Sequence, residues 1–133
     1  MPGRHTALGA CCLLVLCGCG GKAAPPKAVV IDRGSATGRK AAAEASGKAG
    51  RFDTVSVRVR ASPNQRVTGS WTVGCRSGSG TASSRDADNF SGRTPLTVPL
   101  RELSFQDLTM ECLVVGDATL SGSGRVTVEL LGR

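Results

Sequence analysis

An all-β domain, built as two packed sheets, is the fold class this 133-residue sequence predicts. Three observations carry that expectation. From Phe52 onward, apolar residues recur with period two. The alternating runs come roughly every 8 to 12 residues and are separated by Gly, Ser, Pro and Asn, and no helical period interrupts them. Runs of short strands with such turns pack as a sandwich or a barrel.

The first element lies outside that domain. Met1 to Thr6 carries Arg4 and His5, Ala7 to Leu16 is a ten-residue apolar block, and small residues follow, which is the order of a secretory signal. Spanning a bilayer as a helix takes about 20 apolar residues, so the block reads as a cleaved address. Leu16-Cys17-Gly18-Cys19 closes it and resembles the lipobox of bacterial lipoprotein signal peptides. Cys19 has Leu at minus three and Gly at minus one, whereas Cys17 would put bulky Leu16 at minus one. Cys17 at minus two departs from that family's usual Ala, Ser, Thr or Val. The resemblance implies a signal peptide over 1–18, lipidation of the Cys19 thiol by a diacylglycerol, and residence on the extracytoplasmic face of the cell membrane. The competing expectation is an ordinary secreted chain cut nearby, with Cys19 free or disulfide-bonded.

Residues 19–50 read as a tether. They are rich in Ala, Gly, Lys, Pro and Ser, with one short apolar patch at Val29-Val30-Ile31. Such a composition buries too little surface to offset the entropy of ordering, which predicts disorder. A flexible coil of about 30 residues spans on the order of 30 Å, enough to lift a small domain off the lipid. Residues 20 to 51 also hold seven Lys/Arg against Asp32 and Glu44, while 52 to 133 hold nine Arg against eight Asp/Glu. On this reading most of the chain's net charge of +7 sits in the tether, drawn to anionic headgroups or acidic wall polymers.

The domain itself is expected over 51–133. Val55, Val57 and Val59 alternate with Thr54, Ser56, Arg58 and Arg60 as a first strand, and Ser62-Pro63-Asn64-Gln65 turns the chain. Val67, Trp71, Val73 and Cys75 share one parity in a second strand, which points Trp71 and Cys75 at the same core. Residues 76 to 93 read as loop. Leu96, Val98 and Leu100 make a third strand, which Pro95 and Pro99 assign to a sheet edge. After a loop over 101 to 107, Leu108, Met110, Cys112 and Val114 form a fourth strand. Gly116-Asp117 is expected to break it, Ala118 and Leu120 make a short fifth, and Val126, Val128 and Leu130 the last. Once the signal with Cys11, Cys12 and Cys17 is cleaved and Cys19 is set aside for lipid, Cys75 and Cys112 remain, and an even pair in an exported domain reads as a disulfide.

Asp107 to Val114 looks like the F strand of immunoglobulin-like domains, and Gly124 to Leu130 like the G strand. The resemblance implies an immunoglobulin-like β-sandwich of about six to seven strands, with Cys75 as the inter-sheet partner of Cys112. Met110 stands where the tyrosine corner would place Tyr, and Trp71 lies on the Cys75 strand instead of the next one. More loosely, residues 52 to 133 resemble small exported proteins of high-GC Gram-positive bacteria, a likeness that carries no activity.

Little in the sequence points to catalysis. His5, the only histidine, leaves with the signal, which removes Ser-His and Cys-His activation and the commonest zinc ligand. GxSxG, HExxH and GxxxxGK[ST] are all missing from the sequence. Glu111 and Glu129 fall on outward parity of strands that can be neighbours, a geometry a carboxylate hydrolase acting on wall glycan would need. Asp86, Asp88 and Asn89 open like a calcium loop, but Phe90 and Ser91 occupy a ligand and the turn-glycine position. No cofactor, metal or catalytic residue is expected. Arg58, Arg60 and Arg66 project from the polar side of the first hairpin as a candidate anion patch. A near-neutral domain with four aromatics, Phe52, Trp71, Phe90 and Phe105, argues against nucleic acid as a partner. The function expected is a non-catalytic binding module of the cell envelope, in contact with the membrane through Cys19 and with an envelope protein or acidic wall polymer. Loops 76 to 93 and 101 to 107 are its candidate contact surface, and a purely structural surface spacer is the third expectation.

Overall fold

The computed structural model describes residues 27–50, 52–78, 83–100 and 110–133. Among the described residues there are eight strands: β1 (Val29–Arg39), β2 (Ala42–Lys48), β3 (Val55–Ser62), β4 (Arg66–Ser77), β5 (Ser83–Arg93), β6 (Leu96–Pro99), β7 (Met110–Leu120) and β8 (Ser123–Gly132). β1 pairs with β8, β2 with β7, β3 with β6 and β4 with β5, all antiparallel, so the chain is one long ribbon doubled back at the β4–β5 turn. Rolling up that ribbon brings β3 beside β8 and β4 beside β7. The result is two four-stranded sheets, β1-β8-β3-β6 (sheet A) and β2-β7-β4-β5 (sheet B), with the double Greek-key connectivity of a jelly roll.

Two packed antiparallel sheets and one disulfide are as expected. The connectivity is not that of an immunoglobulin domain. β7 and β8, the two segments likened to F and G, lie in different sheets. Cys75 and Cys112 are directly opposite on neighbouring strands of sheet B, so their bond staples one sheet instead of crossing between two.

The first described strand starts at Val29, and the tether expected over 19–50 is corrected over 29–48, which forms β1 and β2. Ala41, Ala43, Ala45 and Ala49 are buried while Ala42, Glu44, Ser46 and Lys48 are exposed, which is a period-two pattern written in the smallest apolar side chain. Small residues are needed here because β1 and β2 approach closely where the two sheets meet: a Cβ on Gly34 would run into the Glu44 carbonyl oxygen. The Ser46 amide donates to Asp32 Oδ2 at 2.8 Å across the same seam. Gly38 (φ 146°) and Lys40 (φ 50°) supply the left-handed corner between the two strands.

Two further features depart from the expectation. β5 occupies 83–93, where a loop was expected; it is an edge strand whose core-side positions include Asp86 and Asp88, opposite Val73 and Trp71. Charges aimed inward on an edge discourage a second chain from adding to it. β7 runs unbroken through Gly116 and Asp117. Asp117 accepts from the Ser70 amide (3.2 Å) and hydroxyl (2.7 Å) on β4, and Gly116, opposite Trp71, leaves space that Val57 and Leu130 reach into from sheet A. Trp71 is buried four residues before Cys75 on the same strand face, as its parity implied, and β6 with Pro99 is a sheet edge.

Candidate functional site

The outer face of sheet A carries the most developed polar arrangement among the described residues. β8 alternates Val126, Val128 and Leu130 into the core with Arg125, Thr127 and Glu129 outward. In register, Glu129 lies between Arg33 of β1 and Arg58 of β3, and Thr127 lies between Ser35 and Arg60. Two adjacent rows of the sheet therefore place three guanidinium groups around one carboxylate. Arg33 Nε donates to Glu129 Oε1 at 2.8 Å, and its Nη2 pairs with the same oxygen. Arg58 Nε donates to Oε2 at 2.6 Å, and Arg60 Nη2 to Oε2 at 3.0 Å. Ser35 and Thr127 hydroxyls meet at 3.1 Å in the second row.

The arginines cover the carboxylate. Glu129 keeps 1% of its side-chain surface, although it sits on an outward position, while Arg33 and Arg60 remain more than half exposed. Burial pushes its carboxyl pKa up, and the hydrogen bonds from Arg58 and Arg33 with the charges of Arg58 and Arg60 outweigh that effect, holding the carboxyl below its ordinary value. One arginine would neutralise the acid. Three leave two positive charges in excess, with guanidinium N–H groups turned to solvent. Arg39 and Arg125 add to this on the outward side of β1 and β8, and among the described residues neither forms an ion pair. The outward positions of β1, β8, β3 and β6 thus present five arginines, and Glu129 is the one carboxylate among them.

Of the expected patch, Arg58 and Arg60 come together and Arg66 does not. Arg66 lies on β4 in sheet B, opposite Arg93. Its place is taken by Arg33, which the tether expectation hid. That expectation also put the charge in the wrong place, since Arg33, Arg39, Lys40 and Lys48 all belong to the folded domain. Glu111 is exposed on sheet B beside Lys48, 3.8 Å away, and Glu129 is on sheet A, so these two carboxylates do not share a cleft. Asp86 and Asp88 lie on the core side of β5 and Asn89 on its outer side; the two acids cap the Ala87 and Asn89 amides. Among the described residues no group of three or more His, Cys, Asp and Glu is placed to hold a metal. The expected contact loop at 101–107, and Cys19, lie outside the described residues.

The outer face of sheet B is mixed in charge. A concavity of about 800 Å³ opens over Gly74, with Lys48, Arg76, Arg85 and Glu111 at its margin and half-exposed Leu113 in its wall. Comparison with family models, with curated proteins and with solved structures returned no match in any of the three.

Proposed function

We propose that this chain is a lipid-anchored, extracytoplasmic binding module of the cell envelope, held at Cys19 and making a non-catalytic contact with an anionic envelope component through the outer face of sheet A. The observation that supports this reading is the arginine excess of that face, in which, among the described residues, the sole carboxylate is already enclosed by Arg33, Arg58 and Arg60. Rigid strands fix these groups in a flat array, a geometry for an extended polyanionic surface rather than for one enclosed small molecule. The hydrolase alternative loses the pairing of Glu111 with Glu129 on which it rested.

Intact mass of the native protein from a membrane fraction tests the anchor. The expected value is residues 19–133 plus acyl chains, less two hydrogens for the Cys75–Cys112 bond. Retention of the mature chain by anionic envelope material, lost at high salt, tests the binding role. A spacer would be retained no better than an unrelated protein of equal charge.

A further inference from the structure

Two placements decide which anionic surface the domain meets. Only nine residues, ten Cα-to-Cα steps, separate Cys19 from the start of β1 at Val29. A chain covers at most about 3.3–3.6 Å per residue, so β1 begins within about 35 Å of an acyl group on Cys19 however those residues are arranged. A domain of about 100 residues has a radius of gyration near 13 Å, so some face of it stays close to the headgroups. The second placement is the order of side chains along β1. The strand enters with Val29 and Val30, 55% and 40% exposed. Val30 stands opposite Leu131 on the outward row next to the Arg33–Glu129–Arg58 row. An exposed valine on the outer row where the chain enters, followed by an array of arginines, is the profile of a surface that rests on anionic lipid.

We infer that the outer face of sheet A lies directly on the anionic phospholipid headgroups of the bilayer holding the anchor, with Val30 at the interface and Arg33, Arg39, Arg58, Arg60 and Arg125 toward headgroup phosphates. This rests on the lipid-anchored reading and sharpens it. Joining the face to the same membrane makes its contact intramolecular, which favours lipid over a soluble polymer of equal charge. The contact fixes orientation: sheet B, with the concavity over Gly74, faces away from the membrane.

The test uses the mature chain from position 19 with Cys19→Ser, so that no acyl group contributes. It is sedimented with unilamellar vesicles of equimolar phosphatidylglycerol and phosphatidylcholine, and with phosphatidylcholine alone. Binding is expected to the anionic vesicles only and to fall as salt rises. Arg39→Gln with Arg125→Gln, two exposed positions that form no ion pair among the described residues, is expected to weaken it about 25-fold, or fivefold for each charge. Val30→Asp is expected to weaken it further. Arg66→Gln with Arg93→Gln on sheet B is expected to change little, with melting curves confirming that every variant folds. No binding to the anionic vesicles, an equal loss from the sheet B pair, or displacement from vesicles by soluble poly(glycerol phosphate) at equal phosphate concentration would each overturn the inference. Because the probe carries no lipid, these outcomes are independent of the native mass that tests Cys19.

Discussion

Glu129 shows how far parity alone reaches. Its outward position on the last strand follows from Val126, Val128 and Leu130, but its near-complete burial follows from arginines 71 and 96 positions away. Local pattern does not encode such partners; only register does. A carboxyl held below its ordinary pKa stabilises the fold above the unfolded value of about 4.3, and that contribution is lost as pH falls through the folded value. Glu129→Gln is expected to cost about 2 kcal/mol at pH 7. That is less than for a fully enclosed pair, because Arg33 and Arg60 still reach water. Urea unfolding of both proteins measures it: the gap should be full at neutral pH and shrink below pH ~4. Gln65 is a second residue whose role lies in distant contacts. It accepts from the Gly122 amide and donates to the Ser123 carbonyl, both at 2.9 Å, tying the β3–β4 turn to the β7–β8 turn. At about 1 kcal/mol for each hydrogen bond, Gln65→Ala should lose about 2 kcal/mol in the same assay.

At the scale of elements, strands rich in valine were legible and those built from small or polar residues were not. β3, β4, β6 and β8 announce themselves through Val, Leu and Trp at alternate positions. β2 has the same alternation in alanine, amid Gly, Ser and Lys, a composition that also describes a disordered linker. β5 has only Phe90 as a large apolar group, and among the described residues it is the edge strand of sheet B. The close seam between β1 and β2 supplies a sharp test. Gly34→Ala places a methyl against the Glu44 carbonyl and should destabilise by about 1–3 kcal/mol, while Gly50→Ala, with open space around its Cβ, should not. The disulfide closes a separation of 37 residues within sheet B, and on the chain-entropy model its removal by paired Cys→Ala changes should cost about 3–4 kcal/mol. Comparing melting of the paired variant with that of the untreated protein checks this.

For the whole molecule, the all-β class, the disulfide pair and the buried Trp71 were readable in advance, whereas the topology was not. Pairing β1 with β8 and β2 with β7 joins opposite ends of the chain, and an immunoglobulin-like or a jelly-roll order accommodates the same alternating runs. The practical consequence is a boundary. A chain beginning at Phe52, where alternation in large residues starts, lacks β1 and β2 and leaves β8 and β7 as bare inner edges. It is expected to be insoluble or unfolded by circular dichroism, and a chain beginning at Lys27 to be folded. The rolled ribbon also dictates timing. Synthesis delivers β1 first and its partner last, so no intermediate length of nascent polypeptide can close sheet A, and the arginine face comes into being only as Gly132 arrives. Such long-range closure is slow compared with local pairing. A polypeptide threaded head-first through a pore would therefore complete sheet A, and with it the charged face, only in a late event on the far side.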